Sequence, residues 1–370
     1  MTETEKSSLG SLVFAGGGTA GHVSPLLAMA AAVRQQYPDT KVTVIGTESG
    51  LETSLVPQAG WPLETIDKVP LPRKLNLDLL KVPSRLYATI RQAENILRGK
   101  EADAVVGVGG YVCTPVYLAA KKLGIPVIIH EANKKPGLAN IVGARFAAKV
   151  ATAYEGTKLG SAPEAVGMPM RAEIVQARRG SGTAAARTRL GLDPERKTLV
   201  VTGGSSGAVS LNEALAAGAA PILDTGAQIL HLTGHDKHVD ERRFPSVLHE
   251  HYHQREFLQH MEDAYLAADL MVTRAGAGTV FELTAVGVPT VFVPLPIGNG
   301  EQKRNVEHLE LAQATTVIDN ADFTADWVKT ELTALLTNEA ELHRQAGLMA
   351  SFGQRDAAAR MVDMIQEVLA

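Results

Sequence analysis

The chain has 370 residues, 45% of them hydrophobic, and 36 Lys and Arg against 40 Asp and Glu give a formal net charge of −4. At roughly 150 residues per domain that length points to two domains, and a mean hydropathy of +0.01 excludes a disordered or fibrous chain. The balanced charge argues against a dedicated nucleic-acid binder, which needs a concentrated basic surface. A single cysteine, Cys113, excludes an internal disulfide framework and a cysteine-built zinc site, and fits a reducing compartment. The first residues lack the basic start and apolar run of a secretory signal, and no apolar stretch reaches the roughly eighteen residues of a membrane span. Any membrane contact is therefore expected to be peripheral.

Along the chain, short continuous apolar runs alternate with Ala/Leu-rich stretches. The runs are Leu12–Ala15, Lys41–Ile45, Ala104–Val108, Pro126–Ile129, Thr198–Thr202, Leu270–Thr273 and Thr290–Val293. Unbroken rather than alternating apolar character marks strands buried on both faces, so the predicted class is α/β with doubly wound parallel sheets. An internal echo supports two such folds. Leu12-Val-Phe-Ala-Gly-Gly17 ahead of a helical stretch recurs as Leu199-Val-Val-Thr-Gly-Gly204 ahead of another from about Leu211. A boundary is expected near Gly167–Arg171, and Asp356–Ala370 reads as an amphipathic helix through Ala359, Val362, Ile365 and Leu369 that needs a partner surface.

Four glycine turns follow strands. Gly16-Gly-Gly-Thr-Ala-Gly-His22 precedes a helix predicted from His22 to Gln35. Glycine there lets backbone N–H groups approach a phosphate while the helix N-terminus offers unpaired donors. Gly16, Gly18 and Gly21 also satisfy G-x-G-x-x-G, with Glu48 after the next strand as a ribose acid, so an NAD-dependent oxidoreductase is one reading. The others are Gly107-Val-Gly-Gly-Tyr111, Gly203-Gly-Ser-Ser-Gly-Ala208, and Arg274-Ala-Gly-Ala-Gly-Thr279 before a helix from Val280. A dehydrogenase needs one dinucleotide cradle, whereas four turns over two folds favour two phosphorylated ligands and group transfer.

These motifs, in order with His130-Glu-Ala-Asn-Lys-Lys-Pro-Gly-Leu-Ala-Asn140, Phe281-Glu282, Gln302 and Asn305, resemble the MurG family of glycosyltransferases, in the wording of its actinobacterial branch. The resemblance runs from about Leu12 to the final helix. It implies a GT-B fold of two Rossmann-like parallel-sheet domains facing a cleft, with residues 1–167 plus 350–370 for the acceptor and 168–349 for UDP-GlcNAc. It further implies inverting transfer of GlcNAc from UDP to the C4 hydroxyl of MurNAc in undecaprenyl-diphosphate-MurNAc-pentapeptide, turning lipid I into lipid II. The implied location is the cytoplasmic face of the membrane, with cell-wall synthesis and division proteins as partners and no cofactor.

Inversion in one displacement needs a base for the acceptor proton and a holder for the charge growing on UDP. His22, in the first helical turn beside the glycine loop, is placed to be the base, with Glu131 the rival. By resemblance, Gly18, Gly21, His22, Gly109, Gly110 and Tyr111 meet the acceptor diphosphate. UDP-GlcNAc falls to Thr19, Ala20, Gly21, Asn133, Arg171, Ser205, Leu258, Ala277, Gly278, Thr279, Glu282 and Gln302. In that set Glu282 grips the ribose hydroxyls, Leu258 lies against uracil and Gln302 reaches the sugar. The segment Lys68–Arg85 interleaves leucines with basic residues, and Arg73, Lys74, Leu77, Leu80, Lys81 and Arg85 form the expected docking patch for anionic inner-leaflet lipids.

Ala20, Met168, Ile297 and Val306 depart from the family wording, which puts the local roles near Arg171 and Gln302 in question. His249, His251 and His253 share a strand face if extended, but without a nearby acidic or cysteine partner no metal site is expected. Cys113 reads as a small packing residue. Competing readings are another UDP-sugar enzyme of the same fold, such as a UDP-GlcNAc 2-epimerase or a natural-product glycosyltransferase, and a silent membrane scaffold.

Overall fold

The first apolar run becomes β1 (Ser11–Ala15), whose five residues are all buried. Alternate side chains feed two cores: Leu12 and Phe14 join Val23, Leu26 and Met29, while Val13 and Ala15 join Leu97, Val116 and Tyr117. Both faces of the sheet are covered, which is why the run is apolar throughout. Each of the larger side chains among them, fully buried, contributes roughly 1.5–3 kcal/mol.

The computed structural model describes residues 7–68, 82–180, 182–204, 207–240, 250–296 and 300–370. The chain divides into two units, Met1–Arg171 with Arg355–Ala370, and Ala172–Gln354. In the first, β1 is joined by β2 (Lys41–Gly46), β3 (Leu63–Thr65), β4 (Ala104–Gly107), β5 (Val127–Glu131), β6 (Lys149–Thr152) and β7 (Glu164–Ala165). All pairings are parallel, in the order β3-β2-β1-β4-β5-β6-β7. The second unit holds β8 (Thr198–Thr202), β9 (Gln228–Leu232), β10 (Tyr252–Arg255), β11 (Leu270–Thr273), β12 (Thr290–Phe292) and β13 (Thr316–Val317). They too are parallel, in the order β10-β9-β8-β11-β12-β13.

Counted from its own first strand, the six-stranded second sheet repeats the order of the first without a counterpart of β7, so the sequence echo at β1 and β8 marks equivalent positions. In such sheets the strand order reverses beside the first strand, and ligands bind in the crevice beyond the carboxyl ends there. The reversal lies between β1 and β4 in one sheet and between β8 and β11 in the other. Each of the four glycine turns follows one of these strands.

The final helix, Ala357–Leu369, belongs to the first unit and packs against the helix Ala20–Gln36. Its buried stripe is Met361, Val362, Met364 and Ile365. Ala359, expected in that stripe, is exposed, because the two methionines lie on the packed side instead.

Candidate active site

In the first unit the helix after β1 starts at Ala20, two residues earlier than expected, which puts His22 third in it. The His22 Nδ1 lies 3.4 Å from Thr19 Oγ1. Burial lowers the imidazole below its ordinary 6.5, against the opposing pull of the Glu131 carboxylate, a Gly17 backbone hydrogen bond and Glu52. The ring is therefore neutral at pH 7, as a base must be. The turn after β4 comes close to it. Gly109 and Gly110 have φ of +97° and +90°, and a Cβ on Gly110 would stand 2.9 Å from the Gly17 carbonyl oxygen. On Gly109 a Cβ would stand 3.4 Å from His22 Nε2. Only glycine permits both the left-handed backbone and this approach.

Glu131 ends β5 and is 3% exposed. Its Oε1 accepts the Asn133 N–H at 2.8 Å, and its Oε2 accepts the Gly137 N–H and the Asn140 amide, each at 2.9 Å. The Tyr117 hydroxyl donates to Asn140 Oδ1 at 2.9 Å, extending the chain of bonds into the core. The Glu131 carboxylate therefore ties the loop after β5 to the helix Leu138–Gly143.

A second buried carboxylate lies under the first glycine turn. Glu52 Oε2 accepts the Gly18 N–H at 2.7 Å, and its Oε1 accepts the Thr47 N–H at 3.0 Å and hydroxyl at 2.8 Å. The N–H of Gly18, a residue expected to meet the acceptor diphosphate, is engaged by this carboxylate.

In the second unit the turn after β8 is equally close-packed: a Cβ on Gly207 would stand 2.3 Å from the Thr233 carbonyl oxygen. After β11, Gly276 caps a helix that starts at Ala277 rather than Val280, so the N–H groups of Ala277, Gly278 and Thr279 lie in its first turn. Glu282 follows in the next turn and accepts the Tyr265 hydroxyl at 2.6 Å. Gln302 Oε1 accepts the N–H groups of Ala275 at 3.1 Å and Leu295 at 2.9 Å, which fixes the amide with its oxygen turned into the unit. Arg274 is 8% exposed, donates to the carbonyls of Val293 and Pro294 and to Ser210 Oγ, and forms no ion pair among the described residues.

The chain matches the glycosyltransferase family 28 N-terminal domain over residues 12–152 and the family 28 C-terminal domain over residues 198–361. The chain belongs to glycosyltransferase family 28. A relative from Paenarthrobacter aurescens, named UDP-N-acetylglucosamine--N-acetylmuramyl-(pentapeptide) pyrophosphoryl-undecaprenol N-acetylglucosamine transferase, is 51% identical over 97% of this chain and 96% of its own. A relative of the same name from Streptomyces coelicolor is 45% identical over 97% and 98%. Among solved structures, Acinetobacter baumannii MurG matches with a TM-score of 0.74 at 29% identity over 97% of this chain and 99% of that one. The fold is accordingly GT-B. The kitacinnamycin glycosyltransferase, with a TM-score of 0.66 at 16% identity over 98% and 99%, shares the fold alone.

The first unit of this family 28 chain brings together Thr19, Ala20, Gly21, His22, Gly109, Gly110, Tyr111, Glu131 and Asn133 around the carboxyl ends of β1, β4 and β5. Arg171 closes that unit in sequence. The second unit brings Ala277, Gly278, Thr279, Glu282 and Gln302 to the ends of β11 and β12. Leu258 is 8% exposed, whereas its neighbour Phe257 is 66% exposed. Ser205, Ile297, His249 and the patch residues Arg73, Lys74, Leu77, Leu80 and Lys81 lie outside the described residues. Arg85 is exposed on the helix Val82–Gly99. Cys113 is fully buried, with its thiol pushed up to about 11 by that burial, and packs as expected.

Sequence reasoning missed Glu52, Tyr265 and the buried charge of Arg274. The nearby Glu48, read as a ribose acid, is exposed in the loop after β2. His251 pairs with Glu250, while His235, Asp236 and Glu256 form the one group among the described residues whose ligand atoms gather within 4.8 Å. That group satisfies itself: His235 Nδ1 lies 2.8 Å from Glu256 Oε2, and the Asp236 N–H donates to Glu256 Oε1 at 3.0 Å.

Proposed function

We propose that this chain transfers GlcNAc from UDP-GlcNAc to the C4 hydroxyl of MurNAc in undecaprenyl-diphosphate-MurNAc-pentapeptide, with the first unit taking the acceptor and the second the donor. The observation that carries this reading is 51% identity over 97% of the chain to a relative named for that transfer. The two sheets fit it, since each sets its own pair of turns at its own reversal point, one for each phosphorylated substrate.

In this mechanism the neutral His22 takes the proton of the acceptor hydroxyl as its oxygen bonds to the anomeric carbon. The bond from that carbon to the UDP oxygen breaks on the opposite face, which inverts the centre. UDP departs with the electron pair, and the imidazolium later gives its proton to solvent. Glu131, whose oxygens hold Asn133, Gly137 and Asn140, positions the loop rather than taking the proton. Charge on the departing diphosphate meets the first-turn N–H groups of Ala277, Gly278 and Thr279, the guanidinium of Arg274, and Arg171. Glu282, steadied by Tyr265, accepts the ribose hydroxyls, the Gln302 amide donates to the sugar, and Leu258 lies against the base.

No helix among the described residues is long and apolar enough to cross a membrane. Peripheral binding at the cytoplasmic face is supported by Arg85 and the 63%-exposed Tyr87 on one helix, following a segment rich in Leu and Lys. Partnership with cell-wall synthesis and division proteins rests on the family resemblance alone.

The test is UDP release with UDP-GlcNAc and a short-chain lipid I analogue, with and without EDTA. Release that needs the acceptor, survives EDTA and collapses in His22→Ala and Glu282→Ala supports the reading. Acceptor-independent or absent release from folded, UDP-binding protein overturns it in favour of another UDP-sugar enzyme or a silent scaffold.

A further inference from the structure

A small pocket opens in the first unit between the turns after β1, β2 and β4. Gly17, Gly18, Thr47, Ser49, Gly50, Tyr111 and Val112 line it, together with one cationic side chain, Lys68. The Lys68 ammonium stands 5.5 Å from the centroid of the Tyr111 ring, within cation–π range, and no carboxylate among the described residues pairs with it. Tyr111 itself is 51% exposed.

The donors around this pocket are partly committed. The Gly18 N–H, the Thr47 N–H and the Thr47 hydroxyl all point to the buried Glu52 carboxylate, and the Gly16 N–H donates to the Ile45 carbonyl at 3.3 Å. With two of its N–H groups so engaged, above a buried negative charge, this glycine turn attracts an anion less strongly than a fully open one. A positive side chain strengthens the attraction, and Lys68 is the one cationic residue lining the pocket among the described residues.

We propose that Lys68 is a binding residue for the acceptor, its ammonium supplying the charge that holds the acceptor's diphosphate over the first glycine turn and against Tyr111. The assignment rests on the acceptor role of the first unit. A compact ammonium on a flexible stem suits a phosphate group whose position shifts between binding and transfer, and parking over an aromatic face keeps it poised without a competing carboxylate.

The full chain is assayed at saturating UDP-GlcNAc with varied short-chain lipid I analogue. Lys68→Met is expected to raise the acceptor KM about tenfold, the worth of one charge-assisted hydrogen bond. The KM for UDP-GlcNAc stays as in wild type, and Lys68→Arg recovers most of the loss. In parallel, inorganic diphosphate is titrated into UDP-saturated protein, where Lys68→Met is expected to weaken binding by a similar factor. An unchanged acceptor KM overturns the proposal. So does a raised acceptor KM with unchanged diphosphate affinity, which would place Lys68 on a carboxylate of the stem peptide. Wild type that fails to transfer to the acceptor sinks the transferase reading instead, and the diphosphate titration then decides the role of Lys68 alone.

Discussion

Glu52 Oε2 and the Gly18 N–H are 2.7 Å apart, so a carboxylate with no exposed surface fixes the turn on which His22 is mounted. Burial pushes this carboxyl up, but the hydrogen bonds from Gly18 and Thr47 outweigh it and hold it below its ordinary 4.5. Glu52→Gln keeps the shape and turns an NH₂ toward donors that need an acceptor. We expect a loss of about 1–3 kcal/mol in urea unfolding at pH 7. Because the folded value is the lower one, the Glu52 contribution is present above pH 4.5 and disappears as the pH falls through the folded value. The gap between wild type and variant should therefore close in acid, and a gap that widens there contradicts the assignment.

The turnover of His22 variants checks the base. His22→Ala should lower kcat by about 10²–10⁴-fold with the protein still folded. Since burial sets the imidazole below 6.5, wild-type kcat/KM should hold steady through pH 6.5 and fall only at lower pH, as the ring takes up a proton. An acid limb unchanged in His22→Gln would assign the titrating group elsewhere.

Tyr265 donates to Glu282, the residue proposed to hold the ribose of the donor. Tyr265→Phe removes one hydrogen bond of 2.6 Å while keeping the ring in its core. Its expected signature is a rise of several-fold in the KM for UDP-GlcNAc, in keeping with about 1 kcal/mol for a single hydrogen bond, with the acceptor KM unmoved. A variant in which both KM values rise together would point to loosened packing rather than to Glu282.

Two buried histidines make the fold acid-sensitive. His130 donates to or accepts from no charged group, bonds the Gly167 carbonyl at 2.8 Å, and is pushed down to about 4 by burial. His231 sits between the Tyr252 hydroxyl at 2.7 Å and Asn212 Oδ1 at 3.0 Å and is pushed down to about 3, again by burial. Both stay neutral in the folded chain while the unfolded chain protonates them below 6.5, so stability falls as the pH drops from 6.5 toward the folded values. Unfolding at pH 5 should take up about two protons from this pair, and the pH dependence of urea midpoints measures them.

The topology was legible at the strands that flank each reversal and at β2, β5 and β12, whereas the interior strands β6, Lys-Val-Ala-Thr, and β9, with Gln228 and His231 breaking its apolar run, were not read. β1, β4, β8 and β11 are continuous apolar runs, and the glycine turns that follow them announced the ligand edge. The edge strands were not read, because their sequences are short or polar: β10 is Tyr-His-Gln-Arg and β7 has two residues. Within the site, motif residues such as His22 and Glu282 stood out by their place after a turn. Glu52 did not, since nothing local separates it from Glu48. What marks it is the empty volume left by Gly17, Gly46 and Gly50, where an added Cβ would collide with its side chain, and those glycines meet only in the folded chain. Phe257 and Leu258 are adjacent in sequence, and only folding decides which one faces out.

The first unit is assembled from both ends of the chain, with Met361, Val362, Met364 and Ile365 of its last helix lying in the same core as Val23, Leu26 and Met29. A ribosome delivers residues in order, so residues 172–354, a continuous stretch, are free to fold before that last helix appears. The half that carries His22 waits, its apolar surface uncovered, until residues 355–370 have been made. Shortened products that stop before Arg355 would hold a finished second sheet beside an unsealed first one, and cellular quality control would meet them as a hydrophobic strip rather than as a slower enzyme.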